Sequence, residues 1–324
     1  MRRRSFLRLA GLTVPNRTVL PVISSGLAVD GMPDDRHREQ IVRRAQGGAG
    51  LVMTELTAIS PEGRITPGCL GLYTAEQQSR LAAIVEEVHR SSSAKVAILL
   101  GHSGRRGSTR PRWEGLDRPL RQDNWPLLSA SPIPYSMRSQ TPKEMDAAAM
   151  ERVRQEFVRA AERARDAGFD LLELHFAQGY LIDSFLSPLT NQRKDCYGGT
   201  LENRMRYPLE VFDAVRAVWP AERPLGVVLS ATDLAKRGSE AEDAVLVARI
   251  FKQHGCDIIT VCAGQAVIEE EPVYRPGFLT SCSDCIRNEA RIPTMAGGHL
   301  TSTDQVNTII AAGRADLCIM NLPV

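Results

Sequence analysis

The sequence predicts one α/β domain in which eight parallel strands close into a (β/α)₈ TIM barrel. Its 324 residues, numbered 1–324, lie within the usual size range of a single barrel of this kind. Short β-branched runs alternate with longer stretches in which apolar residues recur every three or four positions, as in consecutive strand–helix units. Gly168, Gly255 and Gly313 each follow a predicted helix, where glycine ends a helix at low conformational cost. Right-handed crossovers between eight such strands favour closure of the parallel sheet into a barrel.

Eight segments have the composition of barrel strands. They cover residues 18–23, 50–55, 96–100, 171–175, 225–230, 258–262, 293–296 and 316–320. The most regular helical patterns between them cover residues 74–91, 146–167, 201–218, 241–254 and 303–312. Since the sequence ends at Val324, directly after the eighth predicted strand, we expect a barrel without its eighth helix. Truncation, natural shortening, or cover of that strand by a partner subunit in a homodimer would each account for this.

Composition favours a small-molecule partner and a cytosolic location. The formal net charge is only +2, so nothing indicates binding to nucleic acid or to a membrane surface. Seven dispersed cysteines form no disulfide framework and are typical of a reducing compartment. Cys282 and Cys285 form an isolated CxxC pair, so no metal site is predicted.

The first residues, Met-Arg-Arg-Arg-Ser-Phe, are similar to a twin-arginine export signal. Pro15, Asn16 and Arg17 interrupt the apolar stretch that such a signal requires. We therefore expect a short hairpin or an extended lead-in to the barrel.

A long segment at residues 103–142 leaves the carboxyl end of the third strand, where barrel enzymes build their active sites. It is rich in glycine, proline, arginine and tryptophan. Two interpretations remain open, a lid or substrate wall and a surface loop. Arg105, Arg106, Arg110 and Arg112 would bind a phosphate or carboxylate in the first case and face solvent in the second.

Residues 168–204 carry the most specific pattern in the chain. They read GFDLLELHFAQGYLIDSFLSPLTNQRKDCYGGTLENR. This stretch strongly resembles the signature region of the old yellow enzyme family of FMN-dependent oxidoreductases, and the agreement extends over essentially the whole chain. Residues 65–68 and 124–126 are most similar to the reductase domain fused to monooxygenases that act on aminobenzoyl- or salicylyl-coenzyme A. The resemblance implies an old yellow enzyme-type barrel that binds FMN, accepts hydride from NAD(P)H and reduces an activated alkene or a dearomatised ring.

The resemblance also implies roles for residues after the fourth strand. His175 and Gln178 occupy the positions that hold the substrate oxygen, and Tyr180 occupies that of a proton donor. Two donors that polarise an oxygen beside a phenol are chemically sensible without the analogy. Gln178 cannot carry a positive charge, so we expect a weaker oxyanion site. His102 and Arg105, after the third strand, are expected to contact the substrate.

The positions that contact flavin in this family differ repeatedly here. Leu99 replaces a glutamine at the pyrimidine edge of the flavin, Val228 replaces an arginine near its N1 and O2 atoms, and Leu56 replaces a small residue. The remaining differences are at Val22, Ser24 and Gly26 on the first strand and at Leu322, where the family has a phosphate-binding arginine. Ser24, Gly297 and Gly298 are the expected cofactor contacts if FMN binds.

Three functions follow from these observations. The first is an enzyme without FMN that uses His175 and Tyr180 for acid–base chemistry, such as isomerisation, cyclisation or dehydration of a carbonyl or phenolic substrate. The alternative is an FMN-dependent NAD(P)H ene-reductase that acts on an enone or an aromatic acyl-CoA. The third is a non-catalytic scaffold. The replaced flavin positions favour the first, and they predict that no cofactor is bound.

Overall fold

The computed structural model describes residues 5–24, 26–268 and 274–321. In chain order its strands are β1 (Leu7–Leu9), β2 (Leu12–Val14), β3 (Thr18–Pro21), β4 (Leu51–Ala58), β5 (Lys95–Gly101), β6 (Leu128–Ser129), β7 (Lys143–Glu144), β8 (Leu171–Phe176), β9 (Leu225–Ser230), β10 (Ile258–Cys262), β11 (Thr294–Leu300) and β12 (Leu317–Met320). The helices are α1 (Asp35–Gln46), α2 (Ala75–Ser91), α3 (Ala147–Asp166), α4 (Asp183–Leu186), α5 (Leu201–Val218), α6 (Ala241–Gln253), α7 (Thr280–Glu289) and α8 (Thr303–Ala311).

Eight of these strands form a closed parallel barrel, which confirms the predicted fold class. The order around the barrel is β3, β4, β5, β8, β9, β10, β11 and β12, so each strand pairs with its neighbour in the chain. All eight predicted strands are present. The seventh extends to Leu300, beyond its predicted end at residue 296, because Gly298 and His299 adopt positive φ angles of 93° and 57° within a register shift. The pattern of hydrophobic residues in the sequence gives no sign of such a bulge.

The predicted hairpin before the barrel is also confirmed. β1 and β2 pair in antiparallel register, with Leu7 opposite Val14. Leu9 and Val14 are buried in the same apolar cluster as the barrel interior. The backbone N–H of Gly11 donates a hydrogen bond of 2.9 Å to the carbonyl of Glu222, in the turn before β9. The hairpin therefore covers the amino-terminal end of the barrel.

The predicted lack of an eighth helix concerns residues that follow β12. The last described residue is Asn321, so Leu322 and the rest of that prediction lie outside the described residues.

The alternation of side chains along β8 positions the candidate site. Leu171 belongs to the cluster inside the barrel, whereas Leu172 and Leu174 belong to the cluster between the strands and the helices. Since successive side chains of a strand point to opposite faces, Glu173 and His175 point into the barrel. Neighbouring strands place Leu99 opposite Glu173 and Val228 opposite His175.

Glu173 is a fully buried acid in this interior. The hydroxyl of Thr260 donates a hydrogen bond of 2.5 Å to one of its carboxyl oxygens. The other oxygen has no hydrogen-bond partner among the described residues. Burial raises the pKa of Glu173 to about 7, because a charged carboxylate would lose its hydration without gaining a cation.

This raised pKa predicts a pH-dependent stability that Glu173→Gln removes. The contribution of a buried neutral acid is fully present below the pKa of the unfolded chain and is lost as pH rises through the folded pKa of about 7. We expect the wild-type protein to lose about 3 kcal/mol of unfolding free energy from this group across that window. Urea unfolding at about pH 5 and about pH 8 measures the difference. Equal pH dependence in both proteins would contradict the assignment, since all other titrating groups are shared.

Candidate active site

His175 lies at the carboxyl end of β8, where the barrel opens, and only 5% of its surface is exposed. Burial lowers the pKa of its imidazole to about 4, while the side chain of Gln178 acts to raise it. The ring is therefore neutral at physiological pH. Its Nδ1 atom is buried and accepts or donates no hydrogen bond among the described residues. An unsatisfied buried ring nitrogen of this kind is available to a bound ligand.

Tyr180 contacts His175 edge to face, as the sequence pattern led us to expect. The ring centroids are 5.0 Å apart and the ring planes are inclined by 77°. Burial raises the pKa of the Tyr180 phenol to about 12, and the positive charge of Arg106 acts in the opposite direction. The phenol is therefore protonated at neutral pH and can donate a proton or a hydrogen bond.

The loop between these two rings has a strained but well-supported backbone. Gln178 has a φ angle of 61°, a left-handed conformation that is uncommon for a residue other than glycine. Its N–H donates to the Ser230 hydroxyl at 3.0 Å, and its carbonyl accepts from Arg106 at 2.7 Å. The next residue, Gly179, donates its N–H to the buried carboxyl of Asp183 at 2.6 Å. These bonds hold the Gln178 side chain beside His175.

Arg106 lies at the centre of the barrel mouth and is almost fully buried. Besides the Gln178 carbonyl, it donates to Oε1 of Gln265 at 3.0 Å and to both carboxylate oxygens of Asp117 at 3.1 Å. Its guanidinium carbon lies 5.3 Å from the centre of the Tyr180 ring and 4.3 Å from that of Tyr135. Sequence reasoning placed Arg106 among the basic residues of the long segment without singling it out. No sequence motif signals a partner set that comes from three separate loops.

His102 and Arg105, which we expected to contact substrate, have internal partners in the structure. The N–H of Gly104 donates to Nδ1 of His102 at 3.0 Å, and burial lowers the pKa of this imidazole to about 3. Arg105 donates to the carbonyls of Ile133 and Pro134 at 3.1 and 3.2 Å, and also to the carbonyl of Ala266. The bond from Arg105 to Ala266 joins residues 103–142 to the start of the loop after β10. Contact of His102 and Arg105 with substrate stays a prediction.

The described residues contain no cluster of three or more His, Cys, Asp or Glu side chains that could hold a metal ion. Within the same ranges, no helix is long and apolar enough to cross a membrane.

Comparison with known proteins places this geometry in a family. The sequence profile of the NADH:flavin oxidoreductase / NADH oxidase family matches residues 7–323. This chain belongs to that family. It is 38% identical over 314 residues to the NADPH dehydrogenase of Geobacillus sp. strain WCH70, covering 96% of this chain and 87% of that protein. It is 36% identical over 321 residues to the NADPH dehydrogenase of Bacillus subtilis strain 168, covering 98% and 90%.

Solved structures of family members share the fold. A 2-naphthoyl-CoA reductase bound to 2-naphthoyl-CoA superimposes with a TM-score of 0.88 at 23% identity, covering 98% of this chain and 50% of that chain. Morphinone reductase superimposes with a TM-score of 0.81 at 24% identity, covering 98% and 85%.

The prediction of an enzyme without FMN was wrong as the main interpretation. Relatives that are 36–39% identical over nearly the whole chain are named NADPH dehydrogenases, which supports the FMN-dependent alternative. The replaced side chains at the flavin positions were not decisive, because a cofactor of this size also contacts backbone groups and apolar surfaces.

The top layer of the barrel interior shows which parts of a flavin this family member can accommodate. Leu99 and Val228 are buried and Leu56 is half-buried, so together they form an apolar surface beneath His175. Leu56 and His175 pack so closely against Gly101 that no larger residue fits there, since a Cβ would lie 2.5 Å from Leu56 and 3.1 Å from the Cβ of His175. An apolar surface suits the faces of an aromatic ring system. It offers no side-chain donor to the polar edge of the flavin.

The predicted phosphate loop retains a suitable backbone. Gly297, Gly298 and His299 lie in the register shift between Ala296 and Leu300, outside the regular pairing of β11 with β12. Consecutive left-handed residues make concave backbone sites for anions. Ser24 is exposed, and its hydroxyl accepts from the N–H of Gly26 at 3.3 Å. The residues present therefore fit the ring faces and the phosphate of FMN.

The network around Arg106 predicts a large effect of Arg106→Gln on stability. The variant leaves Asp117 without its bidentate partner and removes the bond to the Gln178 carbonyl, so we expect a loss of about 3 kcal/mol. Chemical unfolding measures this loss. Arg110→Gln is the matched control in the same segment, since Arg110 donates one bond to the Pro119 carbonyl, and its loss is expected to stay near 1 kcal/mol. Equal losses in the two variants would disprove a central role of Arg106.

Proposed function

We propose that this protein is an FMN-dependent reductase that takes hydride from NAD(P)H and reduces a carbonyl-activated alkene, such as an enone, or an aromatic acyl substrate. The observation that carries the proposal is that a neutral His175 lies beside a protonated Tyr180, with 5.0 Å between their ring centroids. This pair lies at the barrel mouth of a member of a flavin oxidoreductase family. The names of the relatives, NADPH dehydrogenase, support the choice of hydride source.

Several elements of the chain would hold the cofactor. The apolar layer of Leu56, Leu99 and Val228 would lie against the ring system, and the backbone of Gly297 and Gly298 would hold the phosphate. When bound, FMN supplies the chemistry that the side chains lack, since it accepts hydride from the nicotinamide and passes hydride to carbon.

His175 and Gln178 would bind the substrate carbonyl. A neutral imidazole and an amide each offer one N–H donor to the oxygen, which stabilises the negative charge that develops there during reduction. Both donors are neutral here because burial prevents protonation of His175 and because an amide has no charged form. The site therefore polarises a carbonyl by hydrogen bonding alone.

Tyr180 would deliver the proton to the second carbon of the reduced double bond. The phenol keeps its proton up to about pH 12, so it enters each turnover as a donor. Donation leaves a phenolate that is stabilised by the nearby Arg106 guanidinium, whose carbon lies 5.3 Å from the ring centre. Proton exchange with solvent then restores the phenol.

We propose further that residues 103–142 act as a wall of the substrate site. Arg106 and Tyr135, which flank the Tyr180 ring, both come from this segment. The hydrogen bond from Arg105 to the Ala266 carbonyl, in the loop after β10, supports a fixed position of the segment. Cytosolic location and a homodimer stay predictions.

The first test of the reductase is Tyr180→Phe. We expect reduction of an enone such as 2-cyclohexenone by the FMN-loaded enzyme to slow by about 10²-fold or more, the usual effect of removing a general acid. The reduction of bound flavin by NADPH requires no proton from Tyr180 and should change little. Stopped-flow measurement of the two half-reactions separates these effects.

Two results would count against this assignment. A wild-type protein that binds no FMN at micromolar concentration would refute the proposed function itself. A Tyr180→Phe variant with an unchanged oxidative half-reaction would refute the role of the phenol.

A second test concerns the apolar layer. Leu99→Gln introduces an amide at the position that would face the flavin edge, and we expect it to tighten FMN binding about tenfold. Without FMN the same amide is buried without a partner, so the unfolding free energy should fall by about 1–3 kcal/mol. Flavin fluorescence quenching and thermal unfolding measure the two effects. Leu99→Met is the control that keeps the site apolar, and equal FMN affinity in both variants would contradict the proposed position of the ring.

A further inference from the structure

A cavity of about 700 Å³ opens above the candidate site, between residues 103–142 and the loop after β10. Its volume is within the range of about 300–1000 Å³ that is typical of sites for drug-sized ligands. Arg106 and Gln265 line it, and Arg106 also contacts the Tyr180 ring and the Gln178 carbonyl. Arg106 therefore contacts both the cavity and the ring of the proposed proton donor.

The wall of this cavity is strongly basic. Arg112, Arg118 and Arg138 line it and are exposed to solvent. Within the described ranges, none of the three forms an ion pair with an acidic side chain. Asp117 also lines the cavity, but both of its oxygens accept from Arg106. Three guanidinium groups thus face one space without a local counter-charge from the described residues.

Other residues of the wall are apolar. Leu116, Met137 and Ile268 line the cavity, and their side chains are 67%, 104% and 53% exposed. Large apolar side chains are seldom left this accessible in a group unless something covers them. A ligand that matches both parts of the wall has several negative charges and a flat or apolar body.

We propose that this cavity binds the phosphorylated nucleoside end of an elongated ligand, with its phosphates on Arg112, Arg118 and Arg138 and its reactive end at His175 and Tyr180. The proposal rests on the proposed function for the identity of the reactive end. Two sources share this chemistry, the 2′-phosphorylated adenosine diphosphate of NADPH and the 3′-phosphorylated adenosine diphosphate of an acyl-coenzyme A substrate. Guanidinium groups suit both because they bind phosphate oxygens bidentately.

Direct binding of fragments tests the proposal without turnover. Isothermal titration of the full chain with 2′,5′-ADP, 3′,5′-ADP, adenosine and inorganic phosphate needs neither FMN nor hydride transfer. We expect at least one bisphosphate to bind about tenfold or more tightly than adenosine, with an affinity that falls as salt increases. A preference for the 2′-phosphate identifies the nicotinamide cofactor as the source, and a preference for the 3′-phosphate identifies an acyl-coenzyme A.

A triple variant, Arg112→Gln with Arg118→Gln and Arg138→Gln, should weaken bisphosphate binding by about tenfold or more. Arg121→Gln is the matched control, because Arg121 is exposed in the same segment and does not line the cavity. Thermal unfolding of each variant checks the fold, and the salt dependence of the wild-type affinity gives evidence that needs no variant.

Bisphosphate affinity that equals that of adenosine, or that survives the triple substitution, would overturn the proposal. Absence of binding would also overturn it. Failure of the proposed function is a separate result, since a protein that binds no FMN can still bind the fragments.

Discussion

The barrel mouth depends on one buried cation. Arg106 follows β5 and binds groups from the loops that leave β8 and β10, as well as an acid in its own segment. A guanidinium group has five N–H donors in a fixed plane, so it can join several acceptors at once where a lysine could not. The three loops therefore hold one arrangement relative to one another. Tyr180 and Gln178, which together with His175 would face a substrate, contact Arg106 and so take their positions from this arrangement.

The second constraint is the charge state of the barrel interior. Burial keeps His175 neutral and Tyr180 protonated at neutral pH, and it raises the pKa of Glu173 to about 7, because in each case the surroundings do not offset the lost hydration of the charged form. The two groups at the candidate site are thus uncharged hydrogen-bonding groups, and the positive charge of Arg106 acts on them from the rim. Negative charge that develops on a substrate oxygen or on Tyr180 would therefore be stabilised by the positive charge of Arg106.

Much of the fold could be predicted from sequence because parallel strands buried on both faces leave continuous β-branched runs, and amphipathic helices leave a period near 3.6. All eight barrel strands followed from that contrast. The positions of His175, Gln178 and Tyr180 followed from a local motif, because residues close in the chain stay close in the fold. Arg106 and Gln265 could not be assigned in this way, since they meet across 159 positions of sequence and only the closed barrel brings them together. The bonds of His102 to the N–H of Gly104 and of Arg105 to the Ala266 carbonyl could not be predicted either, because backbone partners leave no signature in side-chain identity.

The replaced side chains at the flavin edge remove only part of the binding free energy of FMN, so they do not indicate that the cofactor is absent. Two missing hydrogen bonds, one of them charge-assisted, weaken affinity by roughly 2–4 kcal/mol, or about 30- to 10³-fold. Losses of that size turn a nanomolar affinity into a micromolar one, and they leave the contacts that the apolar layer would make to the ring faces and those that the backbone of Gly297 and Gly298 would make to the phosphate. The apolar layer of Leu99 and Val228 offsets part of the loss, since it removes ring surface from water. Side-chain replacements at the flavin edge therefore indicate how tightly a cofactor is held, and similarity over the whole chain is the better guide to which cofactor it is.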